Sequence, residues 1–191
     1  MYQPDLRLQR VIDSYARAMP SPSELDGLSQ RGESEAHTIL GLVEFSPPTR
    51  MLDLACGMGT AAVALAKRGF EVTGLDCTLS ALLVGRALAE QESVRVAWLC
   101  ADMRRLYIDS LFDCVMLRDV IFGIYEPETN RDLMRRMAGA LKPGGKMLLE
   151  VYNKDFAVRH GIQNVLGYDE GEDRVVDTSG ESDAVMHLPT Q

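Results

Sequence analysis

Residues 51–60 read Met51-Leu52-Asp53-Leu54-Ala55-Cys56-Gly57-Met58-Gly59-Thr60. An apolar run ends at an acid and two closely spaced glycines, and the helix-compatible stretch Ala61-Ala-Val-Ala-Leu-Ala66 follows at once. A strand, a glycine turn and a helix in that order form the first half of a βαβ unit. Glycine lets the chain turn tightly there and leaves bare main chain for a ligand to lie against. In open α/β sheets, ligands bind where such strands end.

Working outward, the pattern repeats. The strand at 50–54 and the helix at 60–68, stopped by Gly69, lead to a strand at 71–75 that Asp76 closes. A helix is expected at 78–91, with Thr78 placed to cap it. Strands follow at 94–100, ending at Ala101-Asp102, and at 112–117, with a helix at 128–141. A fifth strand is expected at 145–152, after the Lys142-Pro-Gly-Gly turn. Strands separated by helices predict a Rossmann-like α/β fold, an open and mostly parallel sheet with helices on both faces. Upstream, residues 5–19 and 33–45 carry a helical period, interrupted by Pro20-Ser-Pro-Ser and ended by Ser46-Pro-Pro. After Tyr152, residues 156–165 suit a short helix. Residues 173–177 and 184–188 suit a hairpin around Ser179-Gly180, with disorder as the competing reading of an acidic, glycine-dotted tail. The expected parts are a helical segment at 1–47, a core at 48–153 and a tail at 154–191.

The chain has 191 residues, 46% hydrophobic and 25% charged, which suits one soluble domain. Its formal net charge of −8 argues against nucleic acid as a partner. The pairs Arg104-Arg105 and Arg135-Arg136 read as solvated faces. No apolar run approaches the roughly 20 residues of a membrane span. The first residues lack the basic flank and apolar run of a secretory signal, so a cytoplasmic protein is expected. Cys56, Cys77, Cys100 and Cys114 form no C-x-x-C pair; neither a disulfide nor a metal is expected, and each reads as a small buried residue near a strand end.

Gly57-Met-Gly59-Thr-Ala-Ala62 also fits the short G-x-G-x-x-G/A dinucleotide pattern, and a tight turn that binds nothing would look the same. Asp76 lies at about the spacing where a carboxylate takes both hydroxyls of an adenosine ribose. Charge separates the nucleotide readings. Residues 53–66 contain no Lys or Arg, and Asp53 stands just before the turn. A diphosphate would be repelled there, whereas the sulfonium and ammonium of S-adenosylmethionine would be favoured.

These residues resemble the class I S-adenosylmethionine-dependent methyltransferases over about 33–152. Asp53-Leu-Ala-Cys-Gly57-Met-Gly59 is similar to the family's D-x-x-x-G-x-G motif. Gly74-Leu-Asp76-Cys-Thr78 is similar to its ribose-binding acid and helix cap. Ala101-Asp102-Met103 resembles the segment whose Asp takes the adenine amino group and whose next residue packs on the ring. Phe112-Asp-Cys-Val-Met-Leu-Arg118-Asp119 resembles the fourth motif, and Leu141-Lys-Pro-Gly-Gly145 the entry to the fifth strand. The resemblance implies S-adenosylmethionine as donor and S-adenosylhomocysteine as product. It implies a cofactor site of Arg31, Asp53, Ala55, Cys56, Gly57, Gly59, Asp76, Cys77, Asp102, Met103 and Arg118. Arg31 stands where the family often supplies a basic residue to the donor's carboxylate.

Transfer from a sulfonium needs alignment and exclusion of water, and a base only if the acceptor must lose a proton. The catalytic candidates are Arg118, Asp119 and Tyr125. Phe122, Tyr152 and Asn153 lie on the expected acceptor side, and His160 is a weak candidate base. The Asn/Asp-Pro-Pro-Tyr/Phe segment that marks nucleobase methylation in the family is replaced by Arg118-Asp-Val-Ile-Phe122. The resemblance therefore implies a small-molecule acceptor, through nitrogen or oxygen. The family's sheet usually has seven strands and only five are legible. The tail resembles the start of an acceptor-binding insertion, and a homodimer is expected to cover the fifth strand's edge. The competing readings are a catalytically inactive binding or regulatory protein of the same fold and, disfavoured by Asp53, an NAD-linked oxidoreductase.

Overall fold

The computed structural model describes residues 20–118, 122 and 125–151, together with three short strands in the tail. The helix expected at 5–19 and the one expected at 156–165 lie outside the described residues.

The first described element is α1, Pro22–Leu42. It begins eleven residues before the expected start at 33. Its first half is polar and carries Gly27 and Gly32, so the apolar period is weak there. What starts it is a capping box: the Ser21 N–H donates to Glu24 Oε2 at 2.7 Å, and the Glu24 N–H to Ser21 Oγ at 3.4 Å. Pro22 fits the first helical turn, where its missing N–H has no partner to lose.

The alternating segment then follows as β1 (Arg50–Leu54), α2 (Thr60–Lys67), β2 (Glu71–Asp76), α3 (Leu79–Gln91), β3 (Ala97–Cys100), a 3-10 turn at Met103–Arg105, β4 (Phe112–Leu117), α4 (Pro127–Ala140) and β5 (Leu141–Leu149). β3 is shorter than expected, starting at 97 instead of 94. β5 starts and ends earlier than 145–152, because Leu141 already pairs with Phe112 and the turn residues form an irregularity within the strand. All four pairings in this sheet are parallel, in the order β3-β2-β1-β4-β5. Chain direction reverses its march between β1 and β4, the switch point of a doubly wound sheet.

Alternation along the strands divides the core between two faces. Met51, Val72, Cys114 and Met116 pack with Ala36 and Ile39 of α1 and with Ala61 and Leu65 of α2. Leu52, Leu54, Val115 and Leu117 face the other way, onto Leu133, Met137 and Ala140 of α4 and Met103 of the 3-10 turn. Near-continuous burial of β1 and β4 is what a parallel sheet covered on both faces requires. Gly32 lets α1 cross close over the start of α2, since a Cβ there would overlap the carbonyl of Thr60.

A second, antiparallel sheet runs β6 (Leu166–Asp169), β7 (Arg174–Asp177) and β8 (Val185–His187). β7 and β8 are the expected hairpin; β6 is an additional strand on its outer side. Among the described residues no helix is long and apolar enough to cross a membrane.

Candidate functional site

The loop between β1 and α2 is built from left-handed backbone. Ala55, Gly57 and Gly59 have φ of 51°, 54° and 63°. Ala55 holds that conformation at a steric cost that glycine avoids. Three hydrogen bonds fix the loop: Cys56 N–H to Leu75 O at 3.0 Å, Gly59 N–H to Cys56 O at 2.8 Å, and Gly57 N–H to Asp76 Oδ2 at 2.8 Å. Each satisfies a backbone donor that the turn would otherwise leave open.

The two glycines serve different ends. A Cβ added at Gly57 meets nothing within 4 Å, so that face of the loop is open. At Gly59 a Cβ would run into the indole of Trp98. The same ring limits Gly74 of β2 and Gly85 of α3. Trp98 from β3 thus fills a space left by three glycines and backs the loop from beneath.

Asp76 ends β2 nearly buried. Its Oδ1 accepts the Thr78 N–H at 2.8 Å. Thr78 occupies the N-cap of α3 but makes no side-chain capping bond, contrary to expectation; Asp76 satisfies that helix start instead. Asp53 is 1% exposed, on the sheet face shared with α1 and α2. Cys56 reports the field between these acids: burial, then the charges of Asp53 and Asp76, pushes its thiol far up. Burial and Asp76 also push up Cys77. Two acidic side chains thus flank a loop without a cation of its own.

Asp102 and Met103 follow β3. Met103 is buried in the apolar cluster on the α4 face. Asp102 is held in a bidentate pair by Arg104, with Arg104 Nη2 2.7 Å from Oδ2 and Nε 3.0 Å from both oxygens. Burial raises its pKa, but the hydrogen bonds and charge of Arg104 outweigh that and leave it below the ordinary range. Much of its accepting capacity is thus already used within the chain. Arg104 also lies over the ring of Tyr125, 4.9 Å from its centroid. Phe122 packs against the same apolar cluster as Met103.

Arg31 and Arg118 converge on Glu35, which sequence reasoning passed over. Arg31 is 56% exposed and donates from Nε to Glu35 Oε1 at 2.6 Å. Thr60 Oγ1 donates to Glu35 Oε2 at 2.6 Å. Arg118, only 12% exposed at the end of β4, places Nη2 3.7 Å from the same oxygen. Among the described residues its ion pair is thus with Glu35 of α1. The signal for Glu35 was its place on the buried side of a helix, one turn after Arg31. Asp119, Tyr152, Asn153 and His160 lie outside the described residues.

The four cysteines are free. Cys114 is buried within β4, but Cys100 is exposed on the edge strand, so the expectation of burial fails there. Among the described residues no group of three or more His, Cys, Asp or Glu could hold a metal.

Residues 51–145 match the family model described as "Methyltransferase domain". Among curated proteins, the "Ubiquinone biosynthesis O-methyltransferase" of Coxiella burnetii is 32% identical over 107 residues, covering 56% of this chain and 44% of that protein. "Methyltransferase GfsG" of Streptomyces halstedii is 31% identical over 150 residues, covering 76% of this chain and 51% of that protein. The chain spans about half the length of these relatives. Among solved structures, the PH0226 protein of Pyrococcus horikoshii superposes with a TM-score of 0.61 at 23% identity, over 78% of this chain and 69% of that one, and shares the fold.

Proposed function

We infer that the chain belongs to the class I S-adenosylmethionine-dependent methyltransferases, and on that footing propose that it binds S-adenosylmethionine over the glycine loop and transfers its methyl group to a small molecule. The observation that carries this reading is the Asp76–Gly57 clip beneath an open loop face. It presents a buried carboxylate beside bare main chain, with no Lys or Arg from 53 to 66 to receive a diphosphate.

The residues present fit such a donor. Each oxygen of Asp76 spends one acceptor site on a backbone N–H and keeps another for a ribose hydroxyl. Asp53 favours the cationic end of the ligand through the low dielectric around it. Ala55, Cys56, Gly57 and Gly59 supply the backbone wall, Cys77 and Met103 border the adenosine, and Arg31 stands toward the donor's carboxylate. Asp102 would take the adenine amino group only by sharing its oxygens with Arg104.

When bound, S-adenosylmethionine supplies an electrophilic methyl whose leaving group, S-adenosylhomocysteine, departs as a neutral thioether. The protein's part is then to align the acceptor and exclude water. Residues 48–153 form the donor-binding core in this reading, with α1 packed over it. The name of the Coxiella relative supports an oxygen acceptor, and free thiols support a reducing compartment such as the cytoplasm. A homodimer covering the free edge of β5 completes the proposal; a monomer in sedimentation would remove that element alone.

Calorimetry tests the core claim. S-adenosylmethionine should bind, Asp76→Ala should abolish binding and Gly57→Val should weaken it. Binding of NAD with no response to S-adenosylmethionine would overturn the reading. Donor binding with no S-adenosylhomocysteine formed across an acceptor panel would replace transfer by a regulatory role.

A further inference from the structure

A cleft of about 380 Å³ lies between α1 and the end of β5. That is within the size of small-molecule sites, which span roughly 300–1,000 Å³. Its walls are mostly apolar: Ile39 and Leu42 on one side, Leu148, Leu149 and Val151 on the other. Leu42 and Val151 are 68% and 53% exposed, so its rim presents apolar surface to solvent.

Arg118 is the cation among the described residues that line this cleft. Its Nε is buried with no hydrogen-bond partner among the described residues. Its contact with Glu35 at 3.7 Å is too long for a hydrogen bond. Glu35 directs one oxygen to Arg31 and the other to Thr60. Arg31 is hydrogen-bonded to Glu35, so Arg118 shares that carboxylate without a hydrogen bond of its own to it. A guanidinium offers five donors in a planar fork that matches a carboxylate. A buried Nε without a partner calls for an acceptor group, and a carboxylate or phenolate oxygen suits a guanidinium best. Glu150, exposed on the rim, disfavours a second negative charge at the mouth.

We propose that this cleft is the acceptor site and selects a small molecule with an apolar body and a single anionic group, a carboxylate or phenolate, paired with Arg118. The word acceptor rests on the methyltransferase reading above. The placement agrees with it, because the cleft opens at the ends of β4 and β5 while the glycine loop and Asp76 lie at the ends of β1 and β2. Donor and acceptor would then meet over β1 and β4, the switch point of the sheet.

The test uses the full chain saturated with S-adenosylhomocysteine, with 2-naphthoate and its neutral match 2-naphthamide as probes, read by calorimetry and by the methyl resonances of Leu42, Leu148 and Leu149. Naphthoate should bind about tenfold or more tightly than the amide, as a charge-assisted pair would give. Arg118→Gln should erase that preference and Arg118→Lys should keep part of it. Thr38→Trp, which fills the cleft from α1 without changing charge, should block both probes. Equal binding of acid and amide, or an unchanged preference in Arg118→Gln, would overturn the proposal. Affinity for S-adenosylhomocysteine, measured on the same samples, keeps the two readings apart. Its absence counts against the methyltransferase assignment, while its presence without a preference for the acid counts against the cleft.

Discussion

Asp76 accepts the N–H of Gly57 at 2.8 Å, so the acid that ends β2 also sets the backbone of the loop after β1. The strands are neighbours in register, with Leu54 beside Leu75, which brings the two chain ends within reach. One carboxylate thereby joins the loop, the end of the sheet and the start of α3, to which its other oxygen is bonded.

Asp76→Ala should therefore cost stability as well as ligand binding. Two backbone donors lose their acceptor, and an unsatisfied buried donor costs about 1–3 kcal/mol. Asp76→Asn retains one accepting oxygen and should lose less. Chemical denaturation of both variants without ligand checks this. Wild-type stability in Asp76→Ala would mean that the clip is only a ligand group.

Gly59→Ala should be more damaging than Gly57→Ala. Both positions have left-handed backbone, which costs a non-glycine residue about 1–2 kcal/mol. Only Gly59 would also drive its Cβ into the Trp98 ring. Because Trp98 is the chain's one tryptophan, its emission should shift in Gly59→Ala and stay near wild type in Gly57→Ala. Indistinguishable spectra and melting temperatures would refute the packing described for Trp98.

Gly32→Ala should push α1 off α2. A methyl there overlaps the Thr60 carbonyl, and a rigid backbone atom cannot swing aside as a side chain would. Overpacking of this kind costs about 1–3 kcal/mol. Hydrogen exchange should quicken over α1 and the start of α2 while the strands stay protected. An unchanged exchange pattern would show that the crossing is looser than described.

Alkaline pH should destabilise the fold through its buried thiols. Burial, with the charge of Asp53 behind it, pushes Cys114 from its ordinary 9.0 up to about 12. Above pH 9 the unfolded thiol loses its proton while the folded one keeps it, so stability falls as pH rises toward the folded value. Each such group contributes a slope of about 1.4 kcal/mol per pH unit over that window. Cys114→Ala should show a shallower decline between pH 9 and 11 than wild type. Equal slopes would remove the effect. Exposed Cys100 should meanwhile react first with a thiol reagent near neutral pH.

Much of this was legible along the chain because it depends on local order. The run from Arg50 to Leu117, with its strand ends at Asp53, Asp76 and Asp102 and its glycines at 57 and 59, determined a parallel sheet and the side on which a ligand would sit. Those signals are short-range: a period of two or 3.6, a turn residue, a cap. The start of α1 at Pro22 escaped because a capping box and tertiary packing outweighed a weak apolar period. Thr78 takes the expected N-cap position of α3, but its hydroxyl makes no capping bond and its own N–H is held by Asp76, a choice between adjacent hydrogen-bonding groups that only geometry makes.

What the tertiary structure alone decided are the pairings between residues far apart in sequence. Trp98 closing on Gly59, Gly74 and Gly85, and Glu35 gathering Thr60 and Arg118, depend on where helices settle on the sheet. The motifs marked Arg31, Asp102 and Arg118 as candidates, but charge type and spacing do not reveal which partner a buried group finds. In a low-dielectric interior that choice determines how much hydrogen-bonding capacity is left for a ligand.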